Sequence, residues 1–185
     1  NVATLKRTNV CRKCYLQGAY LEFVHLRAAD LREANLRNTL LNGAKLQGAN
    51  LQGANLQGAN LQGADFRNAN LQGANIQRAN LQDASMNGAN LRSANLQGAI
   101  LYFAKLAAAD LREADLRETD LKGANLQYAK LDGAIGLDLS GTEIASSTPS
   151  QSTQPTSQLK PSVPSSQAKD TTPPSIDIAA AITVK

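Results

Sequence analysis

Few residues in this chain are of types that do chemistry, and their spacing limits how they can be used. The only two cysteines, Cys11 and Cys14, form a single C-x-x-C. Zinc takes four ligands, and His25, the one histidine, adds only a third, which argues against a metal site. A thioredoxin-type redox pair needs a helix N-terminus to lower a thiol pKa, whereas this pair abuts a stretch with strand and turn patterning. Residues that span a β-turn have Cα atoms within about 7 Å, inside disulfide range. Two readings of the pair stand: a disulfide between Cys11 and Cys14, or two buried thiols that fill space as small apolar groups.

The other candidates are no richer. His25 has no serine or cysteine in register with it. Acidic residues recur beside arginine in Asp30-Leu31-Arg32-Glu33, Asp110-Leu111-Arg112-Glu113 and Asp115-Leu116-Arg117-Glu118. That pattern predicts solvated salt links rather than a catalytic carboxylate pair. The glycines fall at regular corners with no helix behind them, so none forms a phosphate-binding loop. The sequence therefore predicts no catalytic residue, no cofactor, no metal and no small-molecule substrate.

The element that positions these residues is a five-residue phrase, most regular over residues 45–65, KLQGANLQGANLQGANLQGAD. A leucine, or Phe66, Ile76 or Met86 in its place, falls at every fifth residue from Leu16 to Leu131, giving 24 consecutive units. Call this position i. Alanine occupies i−2, except at Cys14, Val24, Thr39 and Thr119. On an α-helix, residues five apart are offset by about 140°, so the leucines would not form a stripe. Glycine at i+2 would also cost roughly 1 kcal/mol each time in a helix interior. In extended chain, residues two apart share a face. Positions i−2 and i then point inward, the Asn, Asp or Lys at i−1 faces water, and i+1 and i+2 have turn composition. Each unit reads as a very short strand plus a corner.

The phrase A-(N/D)-L-x-x, almost unbroken over residues 14–135, resembles the pentapeptide repeat proteins. The resemblance implies an all-β fold, a right-handed quadrilateral β-helix in which four units close one square coil. The 24 units then give about six coils, stacked at about 4.8 Å into a rod about 29 Å long. A cysteine pair just before the first full unit resembles the cyanobacterial and thylakoid-lumenal members, which implies an oxidising compartment. The chain begins without methionine; a thylakoid lumen or periplasm is expected if a signal segment has been removed, and otherwise the cytoplasm.

Composition divides the chain into three. Residues 1–13 are expected to be an N-terminal cap, basic through Lys6, Arg7, Arg12 and Lys13, with Val2, Leu5 and Val10 turned inward. Residues 14–145 carry the repeat. Gly136 stands where a leucine is due, and the pattern resumes three residues late, with Leu137 and Leu139, then Thr142 and Ile144, as i−2 and i. Residues 146–185 form a tail rich in Ser, Thr and Pro and holding all six prolines. It reads as disordered or extended, apart from an apolar stretch, Ile176 to Val184, able to dock. No run approaches the ~18 apolar residues of a spanning helix.

Counting by twenty places the units centred on Leu21, Leu41, Leu61, Leu81, Leu101 and Leu121 on one side. That side carries Tyr20, Phe23 and Leu40 near one end, and Ile100, Tyr102 and Phe103 toward the other. An outward apolar cluster marks an interaction site or a covered surface, so these six are the candidate partner-binding residues, with cover by the tail as the other reading. Two function classes follow. The first is a non-enzymatic rigid scaffold or adaptor that binds protein partners through its faces and tail, as a subunit of a larger assembly would. The second, implied by the resemblance, is a DNA-mimicking protein that binds gyrase or another topoisomerase. Mimicry needs a strongly negative surface, whereas the repeat carries about as many basic as acidic residues and its N-terminal end is basic. Four basic residues with little aromatic interleaving argue equally against nucleic-acid binding.

Overall fold

The computed structural model of the protein describes residues 2–142. The expectations for the tail, for Ile144 and for Ile176 to Val184 lie outside these residues. The chain divides into two units, Asn1–Ala145 and Ser146–Lys185, and the described residues all belong to the first.

The repeat winds with a period of twenty residues. Parallel bridges join Val10 to Asp30, Tyr15 to Asn35, Tyr20 to Leu40 and so on in steps of five, as far as Asp115 to Ile135. Four five-residue units, hence four corners, fill each period. The expected short strands shrink to single bridging residues at i−1, because five residues per side leave one residue between successive turns. The ladder also opens at Val10, inside the segment expected to be only a cap.

One unit shows why the phrase repeats. In Leu51–Asn55, the Leu51 N–H donates to the Asn70 carbonyl at 2.7 Å and Gly53 to Gln72 at 2.9 Å, both in the following coil. Asn55 donates back to Ala34 at 2.9 Å, and Ala54 closes the corner on the Leu51 carbonyl at 2.9 Å. The fifth donor, Gln52 N–H, is taken by the side-chain oxygen of Asn50 at 3.1 Å. Every backbone donor of the unit is thus satisfied, as burial of this much backbone requires. The third corner residue has positive φ, 64° at Gly53, as in a type II turn.

The core is the interior of the coil. Leucines at i and alanines at i−2 are almost fully buried along its length, and Phe66 and Met86 are buried in the same slot. Two of the alanine exceptions are explained by partners: Thr39 donates its hydroxyl to the Leu16 carbonyl at 3.0 Å and Thr119 to the Leu96 carbonyl at 3.1 Å. Each buried hydroxyl is therefore paired.

One end is closed by a helix, α1 (Val2–Thr8). Leu5 is fully buried against the first coil and Val2 is half-buried. Asn9, at φ 58°, ends the helix by donating its N–H to the Leu5 carbonyl at 2.8 Å, the usual left-handed stop. Val10 departs from expectation: it is 48% exposed, because its bridge to Asp30 assigns it the outward i−1 position. At the other end Gly136 has φ 72° and so little space that a Cβ would collide with the Arg117 backbone. Beyond it the unit geometry resumes on Leu139, with Thr142 N–H donating to its carbonyl at 3.2 Å and Asp138 accepting from Ser140 N–H at 2.9 Å.

Candidate partner-binding surface

Asparagine and aspartate at i−1 sit at the rim of the core rather than freely in water. Their side-chain oxygen accepts the N–H of residue i+1, as Asn55 does from Gln57 and Asn75 from Gln77, both at 3.1 Å. Where lysine takes the slot at Lys105, the N–H of Ala107 instead reaches Asn87 of the preceding coil at 3.1 Å. Asn50, Asn70 and Asn90 are also joined amide to amide, at 3.4 and 3.2 Å.

The Asp-x-Arg motifs form the expected salt links, and the structure gives their geometry. Arg32 folds back on Asp30 with two hydrogen bonds of 2.9 Å, and Arg112 on Asp110 at 2.8 and 2.6 Å. Arg67 on Asp65 and Arg117 on Asp115 repeat the arrangement. The Arg32 hydrogen bonds hold Asp30 well below the usual carboxylate range, with Arg12 adding to them against a smaller cost of burial. Asp110 and Asp115 are lowered by Arg112 and Arg117 in the same way. At Asp65 burial pushes upward, and Arg67 together with Gln47 outweighs it. Carboxylates held ionised by bidentate arginines are poor general acids, and no group of three metal-ligating side chains occurs among the described residues.

The bridges place Tyr20, Leu40, Asn60, Asn80, Ile100 and Asp120 in one row, so all six candidate residues do share a side. They form two clusters rather than one. Asn60, Gln62, Asn80, Gln82 and Asp83 separate Tyr20, Phe23 and Leu40 from Ile100, Tyr102 and Phe103. Tyr20 and Phe23 are 75% and 71% exposed, Ile100 and Phe103 43% and 49%, while Leu40 and Tyr102 are half-buried. The Tyr102 and Phe103 rings lie 4.1 Å apart, tilted by 56°. Phe23 and Phe103 hold positive φ, 54° and 56°, a conformation that bulky residues seldom adopt. Each ring lies over a glycine of the next coil, Gly43 or Gly123, where a Cβ would strike the ring.

Tyr15, Tyr128 and Ile135 are also exposed, and they sit on other sides of the coil. Cys11 is buried and Cys14 half-buried, and their Cα atoms lie 5.3 Å apart with the sulfurs at bonding distance. Of the basic cap residues, Arg12 pairs with Asp30 at 2.5 Å and Lys13 with Glu33 at 3.4 Å. Sequence reasoning missed the residues that join Lys6 and Arg7 across space: His25, Arg27 and Lys45. The signal was the twenty-residue interval between His25 and Lys45, both at i−1.

No helix among the described residues is long and apolar enough to cross a membrane. Comparison with protein families matches Pentapeptide repeats, in 8 copies, over residues 10–48, 34–73, 44–83, 74–112 and 99–135. Among solved structures, the chain is similar to Rfr23, a pentapeptide repeat protein from the cyanobacterium Cyanothece 51142, at 29% identity over 77% of this chain and 95% of that one, with a TM-score of 0.57. It is also similar to HetL, a pentapeptide repeat protein involved in heterocyst differentiation regulation from the cyanobacterium Nostoc sp. strain PCC 7120, at 32% identity over 72% and 73%, TM-score 0.40. A third relative, alr5209 from Nostoc PCC 7120, is 34% identical over 65% and 84%, TM-score 0.39. No curated protein sequence matches the chain. From its first bridge at Val10 to its last at Ile135, the chain belongs to the pentapeptide repeat family, whose fold is the right-handed quadrilateral β-helix.

Proposed function

We propose that this repeat, of about six coils, is a non-enzymatic scaffold or adaptor that binds protein partners through its faces. The observation that carries this reading is the cluster of Ile100, Tyr102 and Phe103, outward-facing on a coil whose interior is filled with leucine and alanine. Aromatic pairs of this kind are typical anchors of protein interfaces. The contribution assigned to the tail lies outside the described residues. Replacing Tyr102 and Phe103 together with serine is expected to abolish co-purification of the partner from the native organism, while thermal stability stays within about 1 kcal/mol. Co-purification unchanged by the double substitution would end the proposal.

DNA mimicry at gyrase or another topoisomerase is the weaker reading. The carboxylates of residues 110–117 are largely matched by Arg92, Arg112 and Arg117, which removes the negative field such mimicry needs. We also propose that Cys11 and Cys14 are bridged in the native protein, supported by their Cα separation of 5.3 Å. A thiol assay on the unreduced, unfolded chain should find no free thiol; two free thiols would refute the bridge.

A further inference from the structure

We infer that the capped end of the coil carries a binding site for an acidic peptide segment. The last turn of α1 and the neighbouring side of the first two coils enclose an open depression of about 530 Å³, lined by Lys6, Arg7, Asn9, His25, Arg27 and Lys45. Four of these six are lysine or arginine and none is a carboxylate. The ion pairs of the described residues use Arg12, Lys13, Arg32, Arg67, Arg92, Arg112 and Arg117, and no cation of the depression takes part in them. Arg27 is held in place from both ends: its Nε donates to Gln47 at 3.0 Å, and its carbonyl accepts from the Asn9 amide at 2.6 Å.

Part of this charge has a structural reason. Lys6 and Arg7 lie in the last turn of α1, where cations complement the helix dipole. That reason does not extend to Arg27 and Lys45, which stand on the coil. Like charges gathered with no ion pair among the described residues repel one another, and an anionic ligand relieves the repulsion.

The lining also selects among anions. Two of its backbone donors are spent within the fold, Asn9 N–H on the Leu5 carbonyl and Lys45 N–H on the Val24 carbonyl, both at 2.8 Å. No Phe, Tyr or Trp lines the depression, whose one ring is the His25 imidazole, so the bases of a single-stranded nucleic acid lack the run of rings on which successive bases stack. What remains is a group of long cationic side chains, suited to the spaced carboxylates of an Asp- or Glu-rich peptide. This inference rests on the reading of the coil as a protein-binding scaffold, and it assigns a side other than the one that bears Tyr102 and Phe103.

The test is a titration of fluorescein-labelled deca-glutamate with the full chain, followed by anisotropy at about 50 mM salt, where screening is modest. Saturable binding is expected. Arg27→Gln/Lys45→Gln and, separately, Lys6→Gln/Arg7→Gln should each weaken it at least tenfold, whereas Lys122→Gln/Lys130→Gln at the far end should change it less than about twofold. The Arg27/Lys45 pair keeps the test decisive if the α1 variant alters the helix. Absence of saturable binding, equal weakening by the far-end pair, or tighter binding of inorganic polyphosphate or oligothymidylate would each overturn the inference. Because the probe is synthetic, failure here leaves the co-purification test of Tyr102 and Phe103 intact, and failure of that test leaves the titration intact.

Discussion

Asparagine at i−1 does more than face water. In Asn55 the side-chain oxygen closes the N–H of Gln57 at 3.1 Å while the backbone bridges Asn35 and Asn75. A solvated face and a cap for the next corner call for the same short polar residues, so sequence composition reveals the preference and conceals the hydrogen bond behind it. The two roles separate on substitution. Asn55→Ala should lower stability to denaturant by about 1 kcal/mol, the ordinary net worth of a cap, whereas Asn55→Asp keeps the acceptor and should lose less than half of that. Equal losses in the two variants would show that the oxygen contributes nothing. Phe23 and Phe103 make the complementary case. Sequence places them outward, but their seat over Gly43 and Gly123 emerges only when the twenty-residue period brings each phenylalanine beside its glycine.

At the scale of the coil, the repeat was legible because one period governs core, corner and ladder at once. The α1 cap was less so. Residues 1–10 hold too few apolar positions to fix a register, and the inward assignment of Val10 fails because the bridging slot claims it. The coil also sets the acid response. Asp30, Asp65, Asp110 and Asp115 are lowered from the usual carboxylate range in the folded protein. A carboxylate with a depressed folded-state pKa contributes stability that is present above its unfolded value and lost as pH falls through the folded one. Melting temperature should therefore be nearly flat down to about pH 4, the unfolded carboxylate range, and fall below it. Asp110→Asn, which keeps the corner cap and removes the arginine pair, should flatten part of that fall. A melting temperature that rises on acidification would contradict the assignment of these pairs.

For the repeat as a whole, a filled interior leaves only the outer sides for function. One side carries two apolar clusters separated by polar coils, and the capped end gathers in a depression basic residues that form no ion pair among the described residues. Sequence exposed the first by counting in twenties from Leu21 to Leu121. It did not expose the second, since Lys6 and Lys45 meet only through the helix, whose direction across the first coil no repeat encodes. Every assignment of sides depends on that count. The most direct check is cross-linking by a short thiol-specific bifunctional reagent, read from the masses of the joined peptides. Asn55→Cys with Asn75→Cys places both thiols on one bridge and should link efficiently. Asn55→Cys with Ser85→Cys, set half a turn further round, should not link. Linking of the second pair in preference to the first would contradict the four-sided coil.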